Sequence, residues 1–447
     1  MISASLEKLL RDARIDLVLA RVEKDPNVIN DIIEQLNSDI RSIKFNAILV
    51  LGELGKKSES ALSELIECLA DNDWSICRET VRTLGKMGNV AENAISELSK
   101  LVKDDEVSIR KEVVISLGKI GFASEEAISA SITALKDKNE EVRTEAANSL
   151  GYFKSEAYIA IPALIIAIKD YSWAVRTAAV NTLAQVGKDA LNALPVLLKA
   201  LEDKDWRVRK AVIYTLSEMG SNAVPTLLIY IEHYSPIVRK SIIEAFGEMK
   251  LADSEILEKL TLALDDRKKG IRGRAADAIR SIGKPAVKTL IEALNHPNKI
   301  VVSLVVWAMG KMGDDALEAI PEIIKMLKYP KTIVRVEAAR ALGNLGSIAS
   351  DSVFALAEAL NDQKLRVRSE AAIALGKIGK SASKVSTKLV NALNDKKAEI
   401  RWRAAEALAK IKPDDPNVIP SLKKLLEDKS DLVVTIALDS LERLGVS

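Results

Sequence analysis

A short pattern recurs along almost the whole chain and restricts the fold before any residue is read on its own. Its clearest copies are VRTEAANSLG at Val142–Gly151, VRVEAARALG at Val334–Gly343 and VRSEAAIALG at Val367–Gly376. With the arginine as reference, equivalent positions fall at Arg11, Lys44, Cys77, Arg110, Arg143, Arg176, Arg209, Arg239, Arg272, Val302, Arg335, Arg368, Arg401 and Val434. They are 33 residues apart, except for two intervals of 30, from Arg209 to Arg239 and from Arg272 to Val302. A constant period in this range means supersecondary units stacked side by side, each burying its apolar face on its neighbours. The expectation is an all-α superhelix of about 14 two-helix repeats, continuous over residues 1–447.

The first helix of a repeat starts near the reference. Seven residues on comes a large apolar side chain, as in Leu51, Leu84, Phe246, Ile279 and Leu408, and three and four residues on come small ones, as in Ala146 and Ala147. Spacings of three, four and seven put these on one helical face. Gly recurs eight residues on (Gly52, Gly85, Gly310, Gly343), inside a helix where it costs about 1 kcal/mol, so close backbone approach is expected there. Gly recurs again eleven residues on (Gly55, Gly187, Gly283, Gly379), where a left-handed residue would end the helix. Pro162, Pro195, Pro225, Pro321 and Pro420 share a register early in the second helix, where the missing N–H is not needed. Both 30-residue repeats lose their residues in the turn before that helix. Asp recurs six residues before the reference (Asp71, Asp104, Asp137, Asp170, Asp203, Asp266, Asp362, Asp395, Asp428). It fits a cap on the next first helix, or an ion pair with a reference arginine of its own or an adjacent repeat; Lys44, Cys77, Val302 and Val434 are expected to interrupt such a ladder. Residues 1–39 read as an N-terminal capping repeat, with Asp12 and Asp16 at normally apolar or small positions. Residues 432–447 read as a C-terminal capping helix, with Glu442 in place of Gly.

Composition narrows the function classes. Lys plus Arg number 65 and Asp plus Glu 63, a net charge of +2, which gives no overall pull toward nucleic acid or an anionic membrane. Cys68 and Cys77 are too few for a disulfide framework and read as reduced thiols. The charged N-terminal stretch does not fit a signal peptide, and no run approaches the ~20 apolar residues of a membrane span. The expected location is cytoplasmic, and the expected state a monomer.

The VRxxAAxALGxxG signature with its proline-bearing second helix resembles the HEAT-repeat family, in particular its phycobilisome-lyase-like branch, over nearly the whole chain. The resemblance implies an armadillo-like α-solenoid with the second helices on the concave side. One enzyme class in that family, deoxyhypusine hydroxylase, holds iron through several His-Glu pairs. Here the only neighbouring pair is Glu232-His233, in reversed order, which excludes that chemistry. No phosphate-binding loop, dinucleotide fingerprint, CxxC or zinc-protease motif is present. His233 and His296 both occupy the Asp register of a short repeat. They fit either a hydrogen-bonded tightened turn or an acid–base or metal role, though two repeats apart they would not share an ion. Neither a cofactor nor a metal site is expected.

Two surfaces remain. On the second helices the solvent-facing register predicts a binding face of Ala163, Ile166, Val196, Lys199, Thr226, Ile229, Lys259, Leu262, Thr289 and Glu292, apolar in the middle. A basic cluster over 267–284 includes Arg267, Lys268, Lys269, Arg272 and Arg274, and could take an anion, but no interleaved aromatics favour base stacking. The leading expectation is a non-enzymatic scaffold or adaptor that binds a protein or peptide segment on the concave face. The alternatives are a nucleic-acid- or phosphate-binding solenoid using the basic cluster, which the charge balance does not favour, and a tetrapyrrole lyase-type protein.

Overall fold

A computed structural model describes residues 5–446. Residues 1–4 and 447, at the outer ends of the two expected caps, lie outside the described residues. Among the described residues every regular element is helical. First helices such as Trp74–Met87, Pro236–Met249 and Thr332–Leu345 run 14 residues. Most are followed by a 3-10 turn and a shorter second helix, as in Gly187–Ala193 and Leu194–Ala200, while Pro236–Met249 leads through an irregular turn into Ser254–Ala263. In the two short repeats the 3-10 turn shrinks from seven residues to three, Gly220–Asn222 and Lys284–Ala286. The helices they join keep their lengths, so the deletion is absorbed where no apolar register has to be held. The first repeat departs from the two-helix plan. It is broken at Ala13 (φ 53°) into Leu6–Arg11 and Ile15–Lys24, with Val28–Glu34 after them. Asp12 and Asp16 are exposed there.

Contacts gather into two compact units, Met1–Pro225 and Thr226–Ser447, the division falling within the helix Val224–Tyr230. In both, the apolar column is fully buried: Leu51, Leu117, Leu183, Phe246, Met309, Leu375 and Leu408 are all at 0% exposure. At about 1.5–3 kcal/mol per side chain removed from water, this column is the main source of stability.

The first helix ends as its sequence requires. Gly187 has φ 81° and closes Trp173–Val186. Lys154, Lys250 and Lys412 hold the same register at φ 51°, 52° and 48°, where a side chain costs about 1 kcal/mol against the left-handed backbone. Lys250→Gly is therefore expected to raise stability by about 0.5–1 kcal/mol, read as a higher urea midpoint. A lower midpoint would show that the lysine stem contributes more than its backbone conformation costs.

The aspartates bridge to the preceding repeat. Arg143 donates from Nε and Nη2 to both oxygens of Asp170 (2.7 and 3.0 Å), and from Nη1 to the carbonyls of Asp137 and Lys138 in its own turn (2.8 and 3.3 Å). Arg110–Asp137, Arg176–Asp203, Arg239–Asp266, Arg335–Asp362, Arg368–Asp395 and Arg401–Asp428 pair in the same way. Each aspartate also accepts the N–H two residues ahead, as Asp170 does from Ser172 (2.8 Å), so one carboxylate shapes its turn and fastens it to the neighbour. Lys44 does not interrupt the ladder as expected: its ammonium reaches Asp71 at 2.6 Å, because a rung needs only one cationic donor of sufficient length. At Cys77 the rung is lost, and the thiol donates instead to the Leu69 carbonyl (3.2 Å). Arg209 and Arg272 keep only their own-turn carbonyls. The next repeats place His233 and His296 at the aspartate register, so the donor survives and the acceptor has changed.

Candidate functional site

The second helices bury one stripe and leave another outward. Ile166, Ile229 and Leu262 are 68%, 75% and 59% exposed. Lys199 and Glu292 are exposed, while Ala163, Val196, Thr226, Lys259 and Thr289 are half-buried. Phe354 lies in the same outward stripe and is exposed as well. These aliphatic side chains are therefore uncovered by their neighbouring helices.

In the second unit part of this register opens into a cleft of 630 Å³, within the range of pockets that bind ligands. One wall is the turn 231–236, the other the end of the helix Ser254–Ala263 and the turn after it. His233 stacks on Tyr230 (centroids 5.8 Å apart, planes at 12°) and packs against Tyr234 at 4.3 Å. Tyr234 is 81% exposed and was not singled out by the sequence pattern. Its turn position carries no periodic requirement, and an aromatic at an otherwise polar loop tip was the only available signal. Leu262 and Lys259, from the predicted binding face, share the cleft with Arg267 and Lys268, from the basic cluster.

The charges here are not balanced. Glu232 takes Lys259, which lifts the ammonium above its usual range; Asn298 donates to Asp265; and Arg239 donates to Asp266 at 2.8 and 3.1 Å. Burial pushes the Asp266 carboxyl up, but the Arg239 guanidinium and the Lys268 N–H outweigh it and hold the group below the usual carboxylate range. Every carboxylate lining the cleft is thus engaged. Arg267 and Lys268 are exposed and, among the described residues, have no side-chain partner.

The rest of the basic cluster does not converge with them. Arg272 turns back to the Asp266 carbonyl, and Lys269 is exposed. Arg274 and Arg280 line a separate depression, 3.7 Å from Glu244 and 3.8 Å from Asp277. Both histidines take over the aspartate's turn bond: Nδ1 of His233 accepts from the Ser235 N–H (3.2 Å) and Nδ1 of His296 from that of Asn298 (3.1 Å). Among the described residues no group of His, Cys, Asp and Glu side chains could hold a metal ion. Cys68 and Cys77 are free and buried, and burial, with the nearby Asp104 and Asp71 charges, pushes the Cys77 thiol up to about 11. Among the described residues no helix is long and apolar enough to cross a membrane.

The family model described as HEAT repeats matches in overlapping segments that together run from residue 62 to residue 442. No curated protein matches the chain. Among solved structures it resembles Kap121p (TM-score 0.54, 14% identity, 98% of this chain and 57% of that one). It also resembles Kap121p bound to Ste12p (TM-score 0.55, 16% identity, 95% and 53%) and Kap121p bound to Pho4p (TM-score 0.53, 14% identity, 94% and 54%). The chain spans just over half the length of those proteins, and at this identity the likeness is one of fold.

Proposed function

This chain belongs to the HEAT-repeat family, and on that premise we propose that it is a non-catalytic scaffold that holds another protein, or a peptide segment of one, against its second helices. One observation carries the reading: Ile166, Ile229 and Leu262 share a register and remain more than half exposed. Apolar area left in water at a recurring position is what a partner gains by covering, at about 25 cal/mol per Å². Kap121p, a solenoid of similar fold, has been captured with Ste12p and with Pho4p bound, which supports the same use of the architecture here. We assign the chain to the phycobilisome-lyase-like branch on its VRxxAAxALG signature, and read it as a cytoplasmic monomer.

Affinity capture from the native source tests this. The unmodified chain is expected to retain a protein at moderate salt, and the triple variant I166E/I229E/L262E to lose it. Equal retention by the triple variant overturns the assignment of this register. A bound nucleic acid whose retention collapses between about 50 and about 200 mM salt favours the polyanion alternative instead.

A further inference from the structure

We propose that the cleft of the second unit receives an extended peptide segment bearing a carboxylate beside an apolar side chain. The proposal rests on the reading that the second helices bind protein, and it names the partner's chemistry at one place. Leu262 and Tyr234, both more than half exposed, give the cleft an apolar wall. Its three carboxylates are all engaged, and its two rim cations, Arg267 and Lys268, are not. The cleft lining carries four cations, Arg239, Lys259, Arg267 and Lys268, against three carboxylates that each already hold a donor, so an incoming carboxylate meets two unspent donors, and complementarity of this kind sets specificity more than affinity.

Two internal comparisons sharpen the point. A groove with equivalent walls lies further along, between Leu327 and Gln363, with a volume of 500 Å³. Its charges are closed: Lys328 pairs with Glu358 and Arg335 with Asp362. The ordinary repeat also places an aspartate where this one has His233. That exchange removes a negative charge from the wall and puts a flat ring there, held between Tyr230 and Tyr234. A nucleic acid fits less well. Arg274 and Arg280 line the separate depression with Glu244 and Asp277, so the basic residues form no continuous track for a phosphate backbone.

Fluorescence anisotropy with the full chain tests the proposal. The probe is a short fluorescein-labelled peptide repeating Asp-Leu-Ser; a Lys-Leu-Ser peptide and an oligothymidylate of equal length are comparators. The acidic peptide is expected to bind. R267E/K268E is expected to weaken it by about tenfold and L262S by a similar factor, while K119E, at an exposed position of the first helix Val107–Ile120, leaves it unchanged. The substituted side chains are exposed, so circular dichroism should show the fold retained. The proposal is overturned if the acidic peptide does not bind, if R267E/K268E binds it equally, or if either comparator binds more tightly. Should native-partner capture still depend on the outward register while the acidic peptide fails, the scaffold reading stands and this one falls.

Discussion

Arg143→Met is expected to destabilise the stack around it by about 3–5 kcal/mol, the range for breaking a buried ion pair by removing one partner. The Arg143 and Asp170 side chains are 6% and 12% exposed. Methionine fills much of the arginine's volume but leaves Asp170 without its bidentate donor and takes a hydrogen bond from each of the Asp137 and Lys138 carbonyls. Adding D170N should recover part of the loss, because a neutral amide is cheaper to leave unpaired than a carboxylate. Arg143→Lys should fall between, since Lys44 shows that an ammonium can hold the aspartate but a point charge cannot also serve two carbonyls. Urea titration read by circular dichroism measures all three; a change below 1 kcal/mol for R143M would mean that the ladder is ornamental.

The same ladder sets the response to acid. In Asp137 and Asp362 burial pushes the carboxyl up, yet the arginine and a backbone N–H overcome it; in Asp428 the Arg401 guanidinium dominates from the start. All three sit below the ordinary carboxylate value when folded. A depressed folded-state pKa gives stability that is complete above the unfolded value of about 4 and is lost as pH falls through the folded one. Unfolding is therefore expected below about pH 4, with no loss from these groups at neutral pH.

Opposite signs are expected for two Gly→Ala substitutions in the second unit. In the first helices alanine is intrinsically better than glycine by about 1 kcal/mol. A Cβ on Gly273 would meet nothing within 4 Å, so Gly273→Ala should gain up to that amount. A Cβ on Gly343 would lie 2.8 Å from the Cα of Ala374, and one on Gly310 would lie 2.5 Å from the Cα of Ala341. Backbone cannot swing aside as a side chain can, so the two first helices must separate along their seam. Overpacking of this kind costs about 1–3 kcal/mol, which outweighs the propensity gain. Gly310→Ala, the tighter site, should lose the most. If Gly310→Ala and Gly273→Ala both stabilise, the helices do not approach as closely as described.

These examples also mark what the sequence could say. Period, helix pairs, the apolar column and the close-approach glycines were legible because each repeats at one register and each has a single physical reason. The partner of each aspartate was not, because a carboxylate near an arginine in sequence fits a cap or a bridge equally well until the stacking offset is known. A second column escaped notice. Thr83, Ser116, Thr182 and Thr215 donate to carbonyls of the preceding first helix. The same register in the second unit holds Ala278, Ala341, Ala374 and Ala407. Small residues satisfy one steric demand whether or not they carry a hydroxyl, so the pattern conceals the hydrogen bond. The outward register was anticipated from helical geometry, but the cleft was not. It joins residues thirty positions apart, and its aromatic wall comes from a turn where the repeat imposes nothing.

The claim that the outward face of the second helices is the working surface can be tested by photo-crosslinking. Benzoylphenylalanine would replace Ile229, Leu262 or Phe354 on that face, and Lys240 or Glu248 on exposed positions of the first helix Pro236–Met249. On irradiation in native extract, the first three positions should join the chain to one common protein and the last two should not. Crosslinks that form from 240 and 248 while 229, 262 and 354 stay silent would contradict the account.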